Sequence, residues 1–174
     1  MEGCMTDAIQ RYIAVTSVGA STVRGSPKGT VDAAREFLAE LPLRQFGVES
    51  EQLFHRRLNR VTEKLQRALP QRRRDWALAR KLLNIFLHNA FYNYYLRRQN
   101  RLHLAETFFE VPVDSAVAKG LRRGYPKGAF PAWPGLTRLG QAEHAAYQRC
   151  AAELAERKGL ARVHLDALLW VQER

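Results

Sequence analysis

Apolar residues recur along most of this chain at intervals of three and four, the spacing of one face of an α-helix. The clearest case is residues 49–69, where an apolar face lies opposite a face rich in arginine. The residue-by-residue alternation that is typical of strands is scarce. The pattern therefore predicts an all-α protein of about seven helices, packed as one compact multi-helix domain.

The predicted helices are separated by proline, by glycine-rich segments or by polar residues that can cap a helix. The longest covers residues 76–99, opens after Asp75 and is apolar nearly all round as far as Phe91. A helix of this kind is expected at the centre of a domain. The other predicted helices cover residues 7–18, 30–41, 49–69, 115–123, 141–158 and 161–173, with loops at 19–29 and 124–135.

The length of 174 residues favours a single domain, and a hydrophobic content of 46% is enough to bury a sizeable core. Within this domain we expect three parts along the chain. N-terminal helices fill residues 1–70, a hairpin-like and catalytic region fills 71–123, and C-terminal helices fill 136–174.

Basic residues outnumber acidic ones by 28 to 17, which gives a formal charge of +11. Such an excess favours a polyanionic partner, with nucleic acid the first candidate. A highly charged soluble protein with some other anionic neighbour is the alternative. Arg72, Arg73 and Arg74 directly precede the longest helix and suit phosphate contacts, although a solvated charged face would have the same sequence.

The sequence predicts a location in the cytoplasm or nucleoid. Cys4 and Cys150 are far apart and lack the spacing of metal ligands, so free thiols are favoured over a disulfide. No apolar run approaches the roughly 18 residues of a membrane span. The N-terminus also lacks the charged and then apolar pattern of a signal peptide.

Two residues carry the clearest candidate chemistry. Lys81 lies in an otherwise apolar stretch of the longest helix, and Asp114 follows Pro112 where the next helix should begin. An amine in apolar surroundings can act as a nucleophile, and a carboxylate can move its proton and balance developing charge. Each has a plainer alternative, because Lys81 could extend from the edge of the core and Asp114 could be only an N-cap.

A second pair lies on the last predicted helix, where Asp166 and Trp170 are one turn apart. A carboxylate and an indole could hold an extruded base by hydrogen bonding and stacking. Equally, Trp170 could fill the C-terminal core while Asp166 stays at the surface. His88 lies on nearly the same face as Lys81, and a lone histidine there is more often a core or rim group.

Three segments in this order resemble one family. The run K-x-x-N-x-x-L-x-x-A-F from Lys81 and the run V-P-V-D-S-x-V around Asp114 resemble the helix-hairpin-helix DNA glycosylases of base-excision repair. The run R-V-H-L-D-A-L-L-W from Arg162 is similar to the late helix of the archaeal 8-oxoguanine DNA glycosylase branch. The resemblance covers roughly residues 76–123 and 160–171. Where the family has a glycine-rich L-P-G-V-G hairpin, this chain has L-P-Q-R-R-R-D-W.

The resemblance implies a helix-hairpin-helix glycosylase-like fold with an atypical hairpin. It implies a DNA N-glycosylase with abasic-site (AP) lyase activity that excises a damaged or modified purine such as 8-oxoguanine. Lys81 would form a Schiff base with the sugar, and Asp114 would assist. The implied base contacts are Asp166, Trp170, Ile85 and Phe86, and the implied DNA contacts are Arg72, Arg73, Arg74, Lys119 and Arg122.

No metal or organic cofactor is expected for this chemistry. The expected partner is double-stranded DNA that contains a modified base. We expect the protein to bind it as a monomer, and no membrane partner is expected. Two alternatives stay open from the sequence. One is a non-catalytic nucleic-acid-binding module on a glycosylase-like scaffold, and the other is a basic adaptor in an RNA or defence complex.

Overall fold

The computed structural model describes residues 2–70, 75–126 and 128–172. Within these ranges the chain is helical and has no strand, which confirms the predicted all-α class. Its α-helices are α1 (Glu2–Ser17), α2 (Thr30–Ala39), α3 (Glu51–Ala68), α4 (Trp76–Tyr92), α5 (Tyr94–Gln99), α6 (Ser115–Arg122), α7 (Gln141–Arg157) and α8 (Leu165–Gln172). Short 3-10 helices cover Leu43–Phe46, Leu102–Ala105, Leu136–Arg138 and Arg162–His164. None of the described helices is long and apolar enough to cross a bilayer.

Helix α4 is the central helix, as its sequence predicts. Most of its side chains are buried, and it packs against α1, α2 and α3. Its first turn is fixed by Asp75, whose carboxylate accepts a hydrogen bond from the Leu78 N–H at 3.1 Å. This N-cap satisfies one of the backbone donors left open at a helix start.

The predicted continuous helix over 76–99 is wrong, because the chain divides at Asn93. The Asn93 backbone is extended, and its side chain accepts a hydrogen bond from the Leu96 N–H at 3.1 Å. Asparagine is among the strongest N-cap residues, so it ends α4 and starts α5 although the apolar spacing continues past it. Helix α1 likewise begins at Glu2 and not at residue 7, and the predicted helix 161–173 opens with a 3-10 turn.

The buried apolar side chains form two adjacent clusters. The larger one joins α1, α2, α3 and α4, and Phe54, Leu82 and Phe86 lie at its centre. The second joins α6, α7 and α8 around Tyr147 and Leu165. Because α4 contributes mainly to the first cluster and α6 to the second, the segments that carry the candidate chemistry meet where the clusters adjoin.

Candidate active site

Lys81 and Asp114 are in contact. The amine nitrogen Nζ of Lys81, on α4, lies 3.3 Å from Oδ2 of Asp114, which directly precedes α6. The Lys81 side chain is only 11% exposed and that of Asp114 is 31% exposed. The same Nζ donates to the main-chain carbonyl oxygen of Thr22 at 3.4 Å, from the loop between α1 and α2. Three separate segments therefore meet at one largely buried amine.

The two carboxylate oxygens of Asp114 have different partners. Oδ1 accepts hydrogen bonds from the backbone N–H groups of Ala116 and Val117, both at 3.0 Å, and so caps α6. Oδ2 faces Lys81. Helix capping and contact with the lysine therefore coexist in one side chain. The positive end of the α6 dipole also favours a negative charge at this place.

Asp166 lies within electrostatic reach of this pair. It is half-buried in the first turn of α8. Burial raises the pKa of its carboxyl, the His88 side chain opposes that shift, and the Asp114 carboxylate adds to it. The prediction that Asp166 contacts a base stays a prediction, but its carboxylate belongs to the same group of charges as Asp114.

One ring nitrogen of His88 is buried without a hydrogen-bond partner among the described residues. The other, Nδ1, lies 3.3 Å from Oδ1 of Asn89, which can only accept, so a neutral His88 carries its proton on Nδ1. Its Nε2 is buried and has no hydrogen-bond partner among the residues that the structure describes. Buried polar atoms are rarely left unsatisfied, so Nε2 marks a place where a ligand could form a hydrogen bond with the ring. The sequence predicts that His88 lies on nearly the same face as Lys81, but no pattern in it indicates that Nε2 lacks a hydrogen-bond partner.

Of the other three residues predicted to contact a base, the structure describes the side chains of Ile85 and Phe86. Ile85, one turn after Lys81, is half-buried. Phe86 is completely buried in the larger apolar cluster, where it packs as a core residue. Trp170 lies in α8, but its side chain falls outside the described part of the chain. Contact of these three residues with a base stays a prediction.

The residues predicted to contact DNA divide into two groups. Lys119 and Arg122 are exposed on α6, the helix that Asp114 caps. Arg72, Arg73 and Arg74 fall outside the described residues.

A buried polar network lies beside the site. Arg80 binds both carboxylate oxygens of Glu110, with Nε 2.8 Å from Oε2 and Nη2 3.1 Å from Oε1. Asn84 donates to the same Oε2 at 3.0 Å. The remaining Arg80 donors reach Thr62 Oγ1 at 2.8 Å and Asn59 Oδ1 at 2.9 Å on α3. Burial alone would raise the pKa of Glu110, but Arg80, His144 and these hydrogen bonds outweigh it and bring the pKa to about 2.

Helix α7 completes this network. Burial lowers the pKa of His144 to about 4, against the attraction of Glu110, whose Oε2 lies 3.8 Å from His144 Nε2. The Gln148 side chain binds both the N–H and the carbonyl oxygen of Val111, at 3.2 Å and 2.7 Å. The segment that leads from Glu110 to Asp114 is therefore fixed from α3, α4 and α7. The only indication of this polar network in the sequence is that two polar residues, Arg80 and Asn84, lie one turn apart on an apolar helix.

Among the described residues, no three His, Cys, Asp or Glu side chains are grouped so that they could hold a metal ion. Comparison with protein-family models, with curated proteins and with solved structures finds no match to this chain. Function is therefore inferred from the geometry and chemistry of these residues.

Proposed function

We propose that this chain is a DNA N-glycosylase with AP lyase activity, which removes a damaged or modified purine, 8-oxoguanine first. The observation that carries the proposal is the 3.3 Å contact between Lys81 Nζ and Asp114 Oδ2 at a largely buried position. Covalent attack on a sugar carbon needs an amine and a nearby group that can take its proton. The contact supplies both.

The reaction would begin with the loss of a proton from the Lys81 ammonium, for which Asp114 Oδ2 is the carboxylate oxygen in contact. The free amine would then attack C1′ of an extruded nucleotide. The bond from C1′ to the base would break, and its electron pair would leave with the base. The amine nitrogen then loses a proton and forms a double bond to C1′, while the C1′–O4′ bond breaks and O4′ takes up its electron pair and a proton, which gives an open-chain Schiff base. Loss of a C2′ proton finally breaks the C3′–O bond, and the 3′ phosphate leaves with the electron pair of that bond, so the strand is nicked.

Asp166 and His88 support the recognition of a base next to this pair. An enzyme that acts on a base in a duplex must extrude it and satisfy its polar edge in a pocket. The Asp166 carboxylate is a hydrogen-bond acceptor, and the unpartnered His88 Nε2 accepts when the ring is neutral and donates when the ring is protonated. A purine edge that presents both N–H donors and acceptor atoms would match them, and the guanine ring has such an edge.

The charge of the protein supports a DNA partner. A formal charge of +11 favours a polyanion, and Lys119 and Arg122 are exposed on the helix that begins after Asp114. Cations at this place can bind the phosphates on either side of an extruded nucleotide. We expect the protein to act as a monomer on double-stranded DNA.

The same contact also allows a second candidate function. Lys81 is held by a carboxylate and by a main-chain carbonyl, the arrangement of a structural ion pair. A DNA-binding module without catalysis would keep these contacts for stability alone.

Trapping of a covalent adduct with borohydride separates the two functions. The wild-type protein, Lys81→Gln and a control Lys64→Gln, which changes an exposed lysine of α3, are incubated with duplexes containing 8-oxoguanine, other modified purines or an abasic site. We expect adducts from the wild type and from Lys64→Gln, and none from Lys81→Gln. An adduct of normal yield from Lys81→Gln would refute the assignment of the nucleophile. No wild-type adduct on any duplex, with DNA binding intact, would refute the Schiff-base mechanism and favour the non-catalytic module.

A further inference from the structure

A groove of about 670 Å³ runs along α6 and begins at Ser115, the residue after Asp114. Its lining combines three cationic side chains with three aromatic rings. These are Lys119, Arg122 and Arg123, and Tyr125, Phe130 and Trp133. Of the described residues that line the groove, none is acidic.

We propose that this groove binds an unpaired segment of a DNA strand. The phosphates would lie against the cations of α6, and a base would stack on the aromatic wall. Because Ser115 follows Asp114 in the chain, one end of the groove lies at the start of the helix that Asp114 caps. The binding itself goes beyond the proposed glycosylase activity and does not require it.

The cationic side of the groove suits a phosphodiester backbone. Lys119 and Arg122 are three residues apart on α6, so both project from one exposed face, and Arg123 follows at the helix end. Lysine and arginine contacts to phosphates supply affinity that is independent of sequence. The excess positive charge of the chain also favours the binding of a polyanion.

Contacts with residues of α7 hold the aromatic side of the groove in place. The rings of Phe130 and Trp133 pack edge-on against the buried Tyr147, with centres 5.2 Å and 5.6 Å apart. The Tyr125 hydroxyl lies 2.8 Å from both the Cys150 carbonyl oxygen and Glu153 Oε2, and the Arg157 guanidinium lies over its ring, 5.0 Å from the ring centre. Phe130 and Trp133 are half-buried, and we assign the stacking surface to their rings. Rings that are already ordered provide a stacking surface at low entropic cost.

The combination favours an unpaired strand over other anions. In a duplex each base is stacked between its neighbours, so only an unpaired base can offer a face to a protein ring. A peptide with only acidic side chains, such as polyglutamate, would use the cations but would bring no aromatic ring to the aromatic wall. A strand opened by extrusion of one nucleotide offers both phosphates and a free base face.

Binding of a fluorescent single-stranded oligonucleotide, followed by anisotropy over a range of salt concentrations, tests the groove. We expect Trp133→Leu to weaken binding at least about fivefold, the lower end of what one stacked base contributes. Trp133→Phe should retain most of the affinity because it keeps an aromatic face. Arg122→Gln should reduce the slope of log K against log salt by about 0.7, the value for one phosphate of a single strand. Arg11→Gln, on the exposed face of α1, removes the same charge elsewhere and should leave that slope unchanged.

Photocrosslinking of the wild-type protein to a strand that contains 5-iodouracil makes the test independent of whether a variant folds. We expect crosslinks at Trp133, Phe130 or Tyr125. Crosslinks found only elsewhere, or a folded Trp133→Leu that binds within twofold of the wild type, would overturn the proposal. Equal affinity for a polyglutamate peptide would also overturn it, and would identify an acidic protein as the occupant. Groove crosslinks without any borohydride adduct would refute the glycosylase alone, and an adduct without groove crosslinks would refute the groove alone.

Discussion

Arg80 and Glu110 form a bidentate ion pair, with nitrogen–oxygen distances of 2.8 Å and 3.1 Å, directly beside the candidate site. Arg80 precedes Lys81 in the chain, and Glu110 lies four residues before Asp114. The pair therefore connects the two segments whose side chains meet at 3.3 Å. Both of its side chains are almost fully buried, so water does not weaken the interaction.

Replacing Glu110 by Gln should destabilise the protein strongly, because it leaves the Arg80 guanidinium buried without a counter-charge. The loss of one partner of a buried ion pair costs about 3–5 kcal/mol. Urea unfolding measures this change. The matched control is Glu106→Gln, since Glu106 pairs with His164 at 2.8 Å but is 38% exposed, and a pair of that kind contributes less than about 1 kcal/mol. An equal decrease in the free energy of unfolding in the two variants would show that the buried Arg80–Glu110 pair stabilises the protein no more than the exposed Glu106–His164 pair.

Replacing Asp114 by Asn tests its helix-capping role and its proton-accepting role separately. Asparagine is as good an N-cap as aspartate, and its amide oxygen can accept from the Ala116 and Val117 N–H groups as Oδ1 does. It cannot take a proton from Lys81. We therefore expect a melting temperature close to that of the wild type and turnover lowered about 100-fold or more, in the range of a general acid–base group. Single-turnover excision together with thermal unfolding measures both, and normal turnover in the folded variant would leave Asp114 only its capping role.

The elements that the sequence predicts well are those whose local signals agree. In α3 the apolar face alone predicts the helix, and the observed bounds lie within two residues of the predicted ones. The structure shows that Ser50 caps this helix by accepting a hydrogen bond from the Leu53 N–H. At Asn93 two local signals conflict, because the apolar spacing continues while the side chain is a strong cap. The apolar spacing predicts one helix, but the Asn93 cap divides it into α4 and α5.

The candidate site was predictable only where its groups are side chains in a family-like motif. Lys81 and Asp114 were identified in this way. Thr22 contributes a main-chain carbonyl oxygen, which any residue could supply, so no side-chain pattern could reveal it. Glu110 was missed because its meaning depends on Arg80 and Asn84, which lie 26 or more positions away in the chain and meet it only in the fold.

Acid should destabilise this protein in two stages, set by His144 and Glu110. The pKa of His144 falls from 6.5 to about 4 on folding, so the unfolded chain binds more protons between these values and stability drops as the pH falls through that range. The pKa of Glu110 falls from 4.5 to about 2, so its contribution is complete above pH 4.5 and is lost as the pH falls towards 2. Urea unfolding at a series of pH values measures both stages.

The variant His144→Gln isolates the first stage, because it removes the titrating group and keeps an amide beside Gln148. We expect its stability to vary less than that of the wild type between about pH 6.5 and 4. The exposed His103 supplies the control, and His103→Gln should follow the wild-type curve. A His144→Gln curve parallel to that of the wild type would show that His144 is not held neutral by burial.

Asp166 offers a test that distinguishes base recognition from strand cleavage. Its carboxylate lies near His88 and Asp114, and in the proposed reaction it would accept hydrogen bonds from the extruded base. Asp166→Asn replaces that acceptor by a neutral amide. A hydrogen bond to a charged group contributes about 1.5–3 kcal/mol, so we expect excision of the modified base to fall about 10- to 100-fold. Cleavage at a pre-formed abasic site has no base to hold and needs Lys81, so it should stay within a few fold of the wild type. Asp32→Asn, on the exposed face of α2, serves as the control and should alter neither activity. If a well-folded Asp166→Asn lost both activities in parallel, Asp166 would act on Lys81 and Asp114, and the base would be recognised elsewhere.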